Sequence, residues 1–178
     1  MANLLFSPSG RIGPAVFLKG IGILAAISAV ITIVPMFNYQ LGGILALVSL
    51  VLLVPIFMLL IKRCHDSGKS GWLSILFLIL IGIITLVLQN VASSMFGGSA
   101  MAEMKAASEE IATSGAGLSE MMLATAELAE TYGPAIAKNT ALPSAIAGFV
   151  GTMIGAFVVN LILKQDAHEN QYGHPPAA

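Results

Sequence analysis

The sequence predicts an all-α, polytopic membrane protein with four transmembrane helices and an amphipathic helical exported loop between the third and fourth. Three observations support this fold class: the composition, the length of the uncharged runs and the placement of Lys and Arg. Hydrophobic residues make up 57% of the 178 residues and charged residues only 10%, whereas a soluble domain carries about 25% charged residues. We therefore treat residues 1–178 as a single membrane domain.

The first two spans lie in and around residues 20–61, which contain no charged side chain. As one helix this run would be about 63 Å long, about twice the hydrocarbon core of a bilayer. Proline, glycine and amide residues cluster at residues 35–43 and predict a turn there. We expect spans over residues 14–34 and 41–61. A cleaved signal peptide is the competing interpretation of the first span. The apolar region of a signal peptide covers only about 7–15 residues, and the apolar stretch here is longer.

Two further uncharged runs, residues 70–102 and 139–163, are also long enough to cross a bilayer. Their apolar parts predict a third span over residues 72–91 and a fourth over residues 141–163. The segment between them, residues 93–139, carries six glutamates against two lysines and predicts an acidic exported loop.

The exported loop has the periodicity of two amphipathic helices. At about 100° per residue, one apolar face consists of Met101, Met104, Ser108 and Ile111. A second consists of Leu118, Met121, Met122, Thr125, Leu128, Ala129 and Tyr132. Gly133 and Pro134 predict the end of the second helix.

Positive charge predicts the orientation, because loops rich in Lys and Arg stay in the cytoplasm. With both termini inside, the cytoplasmic face holds Arg11, Lys19, Lys62, Arg63, Lys69 and Lys164. Only Lys105 and Lys138 lie outside. The tail, residues 164–178, is then cytoplasmic. The net charge of −1 gives no basic excess, so we expect no nucleic-acid partner.

Chemically rich residues are concentrated in the turn between the second and third spans, residues 62–72. A phosphate loop would need glycine at position 63, where the chain has Arg63. Cys64, His65 and Asp66 are consecutive at a helix end, so their side chains diverge by about 100° each and cannot close on one metal ion. We predict no metal site and no cofactor. The pair His65-Asp66 has no obligatory role in a turn.

Three groups of residues resemble a known family. They are Gly10-Arg11-Ile12 before the first span, Arg63, His65, Asp66, Gly68, Ser70, Gly71 and Trp72 in the turn, and Asn170, Tyr172 and Gly173 in the tail. Together they resemble the bacterial inner-membrane family known as domain of unknown function 805. The resemblance implies a short polytopic protein of the bacterial inner membrane, and it implies no biochemical activity. Cys64 stands where the motif usually has an apolar residue.

All three groups fall on the cytoplasmic side in the topology derived from charge. We therefore hypothesise a polar cluster of Arg11, Arg63, His65, Asp66 and Asn170, which holds the N-terminal segment and the tail against the turn.

The fourth span carries small residues at four-residue spacing, namely Ala147, Gly151 and Gly155. Such a row allows close helix packing in lipid. Packing within the chain is favoured over a homo-oligomer interface, which stays the alternative. Pro55 predicts a kink in the second span.

The pattern favours a non-catalytic scaffold, assembly or regulatory partner, in contact with the lipid bilayer and with a protein partner through the exported helices or the fourth span. A small-solute transporter or channel is the alternative. Coupling or gating normally needs ionisable residues inside the spans, and these spans have none apart from Lys19. A membrane enzyme using His65-Asp66 is the second alternative, without a recognisable third catalytic partner.

Overall fold

The computed structural model describes residues 5–176, and within this range the chain is almost entirely helical. No β-strand occurs in that range apart from one isolated bridge between Asn170 and Gly173. The helices are α1 (Pro14–Ile33), α2 (Tyr39–Ser49), α3 (Leu53–Asp66), α4 (Leu73–Phe96), α5 (Gly98–Thr113) and α6 (Leu118–Ile162). Residues 1–4 of the predicted domain and residues 177–178 of the predicted tail lie outside the described residues.

Four helical stretches are long and apolar enough to cross a membrane. They are Pro14–Met36, Tyr39–Asp66, Leu73–Phe96 and Leu118–Ile162, and each contains an 18-residue window whose mean hydropathy lies between 2.1 and 3.2. The predicted fold class, all-α with four spans, is confirmed.

The second span is interrupted where the sequence predicts a kink. A 3-10 segment, Leu50–Leu52, separates α2 from α3. Pro55 has no N–H to donate to the carbonyl of Val51, so the α-helical hydrogen-bond ladder cannot be continuous at this point. The tighter 3-10 turn accommodates the missing bond.

The fourth span differs from the sequence expectation, because helix α6 does not stop at Gly133 and Pro134. It continues through both Pro134 and Pro143 for 45 residues, about 68 Å, which is about twice the thickness of a hydrocarbon core. A proline disfavours the helical conformation of the residue before it partly through that residue's Cβ, and Gly133 has none. Strong helix formers on both sides then stabilise the continuous helix.

Helix α5 and residues 118–132 of α6 form an antiparallel pair, which we call the helical extension. Its helices pack through half-buried side chains, among them Met101, Met104, Ala107, Ile111, Met121, Ala124, Leu128 and Tyr132. The predicted faces differ in part. Ser108, Leu118, Met122 and Thr125 are exposed, and Ala107 takes the place expected for Ser108.

The hydrophobic core occupies one end of the four-helix bundle. Its fully buried side chains come from the first half of α1, the end of α3, the first half of α4 and the end of α6. They include Phe17, Ile21, Leu59, Leu60, Phe77, Ile81, Ala156, Val159 and Leu163. The N-terminal segment before α1, the turn after α3 and the tail all lie at this end, so the core supports the polar groups described below.

The small-residue row of α6 packs against α4 within the same chain. A Cβ added at Gly151 would lie 2.8 Å from the Cα of Thr85, and one added at Gly155 would lie 3.0 Å from the Cα of Ile81. Ala147 is half-buried beside this contact. Close approach of the two backbones therefore uses Gly151 and Gly155.

The substitution Gly151→Ala is expected to lower the stability of the bundle by about 1–3 kcal/mol, because the added methyl group meets backbone that cannot easily move. The matched control is Gly82→Ala in α4, where an added Cβ has nothing within 4 Å. Thermal unfolding in detergent micelles measures both. Equal unfolding midpoints for the two variants would contradict the packing argument.

Candidate functional site: a buried arginine-aspartate cluster

The centre of the polar cluster is the carboxylate of Asp66, the last residue of α3, which is completely buried. One of its oxygens accepts hydrogen bonds from Arg11, with Nε at 3.3 Å and Nη2 at 3.2 Å. Its other oxygen accepts from Nη1 of Arg63 at 2.6 Å. Asp66 thus joins two arginines that lie 52 positions apart in the chain.

Local structure places each of the three charged groups. Arg63 and Asp66 lie one turn apart on α3, so their side chains share a face of the helix. Arg11 lies in the segment that precedes α1, after Gly10, whose φ of 90° is accessible mainly to glycine. Pro14 at the first helical position then starts α1.

Arg63 connects Asp66 to the end of α6. Its Nε donates to the side-chain oxygen of Asn160 at 2.7 Å, and its Nη2 donates to the carbonyl of Leu163. The amide of Asn160 in turn donates to the carbonyl of Pro14 at 3.2 Å. Arg63 therefore donates to a carbonyl at the C-terminus of α6, where the last carbonyls of a helix have no N–H donor within the helix.

Arg11 organises the tail. Its Nη1 donates to the carbonyls of His168 at 2.8 Å and Gly173 at 3.0 Å, and its Nη2 donates to the carbonyl of Asp166. Nη2 also reaches the carbonyl of Asp66 at 3.3 Å. A single guanidinium thus holds backbone carbonyls of the tail and of the end of α3, because its planar fork presents several donors in fixed directions.

Asn170 and Asp166 hold the tail to the turn after α3. The amide of Asn170 donates to the carbonyl of His65 and to the Asp166 carboxylate, each at 3.2 Å. The backbone N–H of Asp166 donates to the carbonyl of Asp66 at 2.9 Å. Gly68, with a φ of 68°, passes beside these groups, since an added Cβ would lie 3.6 Å from the Asp166 carboxylate.

His65 lies at the edge of the cluster and not at its centre. Its ring stacks on the ring of Tyr172, with centroids 3.8 Å apart and planes 7° from parallel. Its Nδ1 is 3.3 Å from the carbonyl of Gly10. The imidazole therefore has a packing role between the N-terminal segment and the tail, whereas the ion pairs of the Asp66 carboxylate are formed with Arg11 and Arg63.

The charge of the cluster is balanced partly by helix ends. Two buried guanidinium groups face one carboxylate, and the additional positive charge is met by backbone carbonyls. Two of these belong to Asp66 and Leu163, at the C-termini of α3 and α6, where the helix dipole is negative. Burial of charge normally costs several kcal/mol per ion unless partners are present, and here each charged group has them.

The structure brings together all five residues of the hypothesised cluster. It adds Asn160 and Asp166, which the sequence reasoning missed. Asn160 carried a signal, since it is the single amide in the apolar end of the fourth span, and polar residues in spans are seldom incidental. Among the described residues, no group of three or more His, Cys, Asp and Glu side chains is arranged to hold a metal ion.

The fold and the cluster together define a multi-pass membrane protein in which the N-terminal segment and the tail are both tied to the turn between the second and third spans. The family described as protein of unknown function (DUF805) matches residues 5–174, nearly the whole chain. The chain belongs to this family, and the resemblance noted in the sequence is confirmed. No curated protein and no solved structure matches the chain.

Replacing Asp66 by Asn is expected to destabilise the protein by about 3–5 kcal/mol, because it leaves two buried guanidinium groups without their carboxylate. Denaturant unfolding of the detergent-solubilised protein, followed by circular dichroism, measures the loss. The control Glu169→Gln removes a carboxylate that, within residues 5–176, forms an ion pair with the exposed His174 alone, and it leaves stability nearly unchanged. Comparable losses in the two variants would show that the cluster is not a stabilising unit.

The Asp166 carboxyl makes the stability of the folded tail depend on pH. Hydrogen bonds from the His168 backbone N–H and the Asn170 amide lower the pKa of this carboxyl. A lowered pKa contributes stability above the unfolded value of about 3.9, and this contribution is lost as the pH falls through the folded pKa. The His168 amide resonance in NMR spectra should therefore titrate with a midpoint below about 3.9.

The variant Asp166→Asn provides the control, because it cannot ionise and the amide resonance should no longer follow this titration. A wild-type midpoint at or above the unfolded value would contradict the hydrogen-bond assignment.

Proposed function

We propose that this protein is a non-catalytic scaffold, assembly or regulatory partner in the bacterial inner membrane, with both termini in the cytoplasm. The orientation rests on positive charge: Lys62, Lys69 and Lys164 lie at the end of the bundle that holds the polar cluster. Lys105 and Lys138 lie toward the opposite end. Because positively charged loops remain in the cytoplasm, the helical extension is then exported.

The helical extension is the observation that carries the proposal. Helix α6 is about twice as long as a hydrocarbon core is thick, so its first half continues outside the membrane. Near its start Leu118, Met122 and Leu123 are exposed by 78%, 67% and 73%. Outside lipid, large apolar side chains grouped in this way favour contact with another protein.

The geometry of the polar cluster supports a non-catalytic role. A general acid or base must reach a substrate, but Asp66 is completely buried and both its oxygens accept hydrogen bonds from arginine. The neighbouring imidazole of His65 is stacked on Tyr172. These groups are engaged in holding three segments of the chain together.

Transport of a small solute is the second candidate, and one observation favours it. A cavity of about 630 Å³ lies among the spans and includes the hydroxyls of Ser28, Thr32, Thr85 and Thr152 in its lining. Its described lining residues contain no ionisable side chain, so this cavity offers no charged group for ion coupling.

The test is site-specific photo-crosslinking in cells from position 122, on the exposed apolar face, and from position 106, on the outer face of α5. We expect a discrete crosslinked protein, either another protein or a second copy, from position 122 only. The triple variant Leu118→Ser, Met122→Ser, Leu123→Ser should lower the co-purified yield of that protein about tenfold or more, since a few apolar anchors dominate most interfaces.

A matched control replaces three exposed alanines of α5, Ala102, Ala106 and Ala112, by serine and should leave the yield unchanged. Crosslinks to lipid alone from position 122, or equal yields from the two triple variants, would refute a partner at this face.

A further inference from the structure

Two cavities adjoin at the end of the bundle opposite the polar cluster. The first, of about 630 Å³, lies between α1, α2, α3, α4 and α6. The second, of about 550 Å³, lies where the first two spans are joined and where α6 passes. Both are lined by Pro35, and the consecutive glycines Gly42 and Gly43 line the first and the second cavity respectively.

The first cavity exists because small residues replace core residues in this half of the bundle. Its lining includes Ala25, Ala29, Gly42, Ala46, Gly82 and Ala145. An added Cβ at Gly82 would have nothing within 4 Å, which shows how much space is left. The large side chains of the core cluster lie mainly at the other end.

The first cavity suits hydrocarbon. Its size falls within the range of about 300–1,000 Å³ typical of small-molecule sites. It lies among the four membrane-spanning helices, and apolar side chains dominate its lining. Most polar groups in its lining are already paired within the chain: Thr32 donates to the carbonyl of Ser28, and Thr85 and Thr152 share a hydrogen bond. Few partners are left for water, so the hydrocarbon chain of a lipid is the favoured occupant.

The second cavity has a different chemistry. It is lined by Asn38, Tyr39, Gln40 and Glu130, together with proline and glycine. Among the described residues that line it, Glu130 is the one charged side chain, and it forms no ion pair within the described chain. A carboxylate flanked by amides and a phenol is complementary to a cationic head group, and it repels an additional anion.

We propose that the two cavities form one binding site for an aminophospholipid, with an acyl chain in the cavity between the spans and the ammonium head group at Glu130. The phosphate is common to all phospholipids, so the ammonium group is the feature that this site selects. In this arrangement the amides of Asn38 and Gln40, which line the same cavity, donate hydrogen bonds to the phosphate and ester oxygens.

The test uses the full-length protein, purified in detergent and exchanged into nanodiscs of phosphatidylethanolamine and phosphatidylglycerol in equal amounts with identical chains. After release into mild detergent, native mass spectrometry counts the lipids that remain bound. We expect one retained phosphatidylethanolamine per chain. The variant Glu130→Gln should reduce the preference for this lipid over phosphatidylglycerol about fivefold, as for a partly exposed charge pair.

Two variants fill the apolar cavity, Ala29→Leu on α1 and Gly82→Leu on α4, and each should abolish retention of the lipid. The control Ala26→Leu makes the same change as Ala29→Leu, but on the exposed face of α1 outside the cavity lining, and should retain it. Circular dichroism and gel filtration establish that each variant is folded.

Three results would overturn the proposal. They are a wild-type protein that retains no lipid, folded cavity-filling variants that both retain it as the control does, and a lipid preference that Glu130→Gln leaves unchanged.

Discussion

The shared carboxylate of Asp66 is the interaction on which the arrangement of this protein depends. Within the described part of the chain it is the side chain that accepts hydrogen bonds from both Arg11 and Arg63, and these two side chains also bond to backbone groups of other segments. Through Arg63 it reaches the end of α6, and through Arg11 it reaches the tail. A buried ion pair adds little stability compared with apolar packing, but it strongly restricts which segments can come together.

The bundle has unequal halves. At the cluster end, aromatic and branched side chains fill the space beneath the ion pairs. At the opposite end, alanines and glycines leave cavities, and the second span is broken by the 3-10 segment Leu50–Leu52. The rigid half fixes how the spans enter and leave the membrane, whereas the loosely packed half has the space to hold a ligand.

Much of this arrangement could be predicted from the sequence, and the reasons for the remainder are physical. Uncharged runs of sufficient length predict spans because unpaired polar groups are costly in lipid, so an apolar helix is the favoured structure there. The motif residues were expected to meet because charge placed them on one side. Asp166 and Asn160 escaped notice because each has a backbone group among its partners. The identity of a residue does not reveal which backbone N–H it accepts from or which carbonyl it donates to. The continuity of α6 was missed because Gly133 and Pro134 also mark helix ends.

The tail contacts have a consequence for the synthesis of the protein. Arg11 bonds to the carbonyl of Gly173, 162 positions later in the chain. All four spans must therefore enter the membrane while this guanidinium still lacks some of its acceptors, and the cluster closes only after residues 166–173 have left the ribosome. Until then Arg11 lacks the acceptors that the tail supplies, so the newly made protein is incompletely bonded at this end of the bundle.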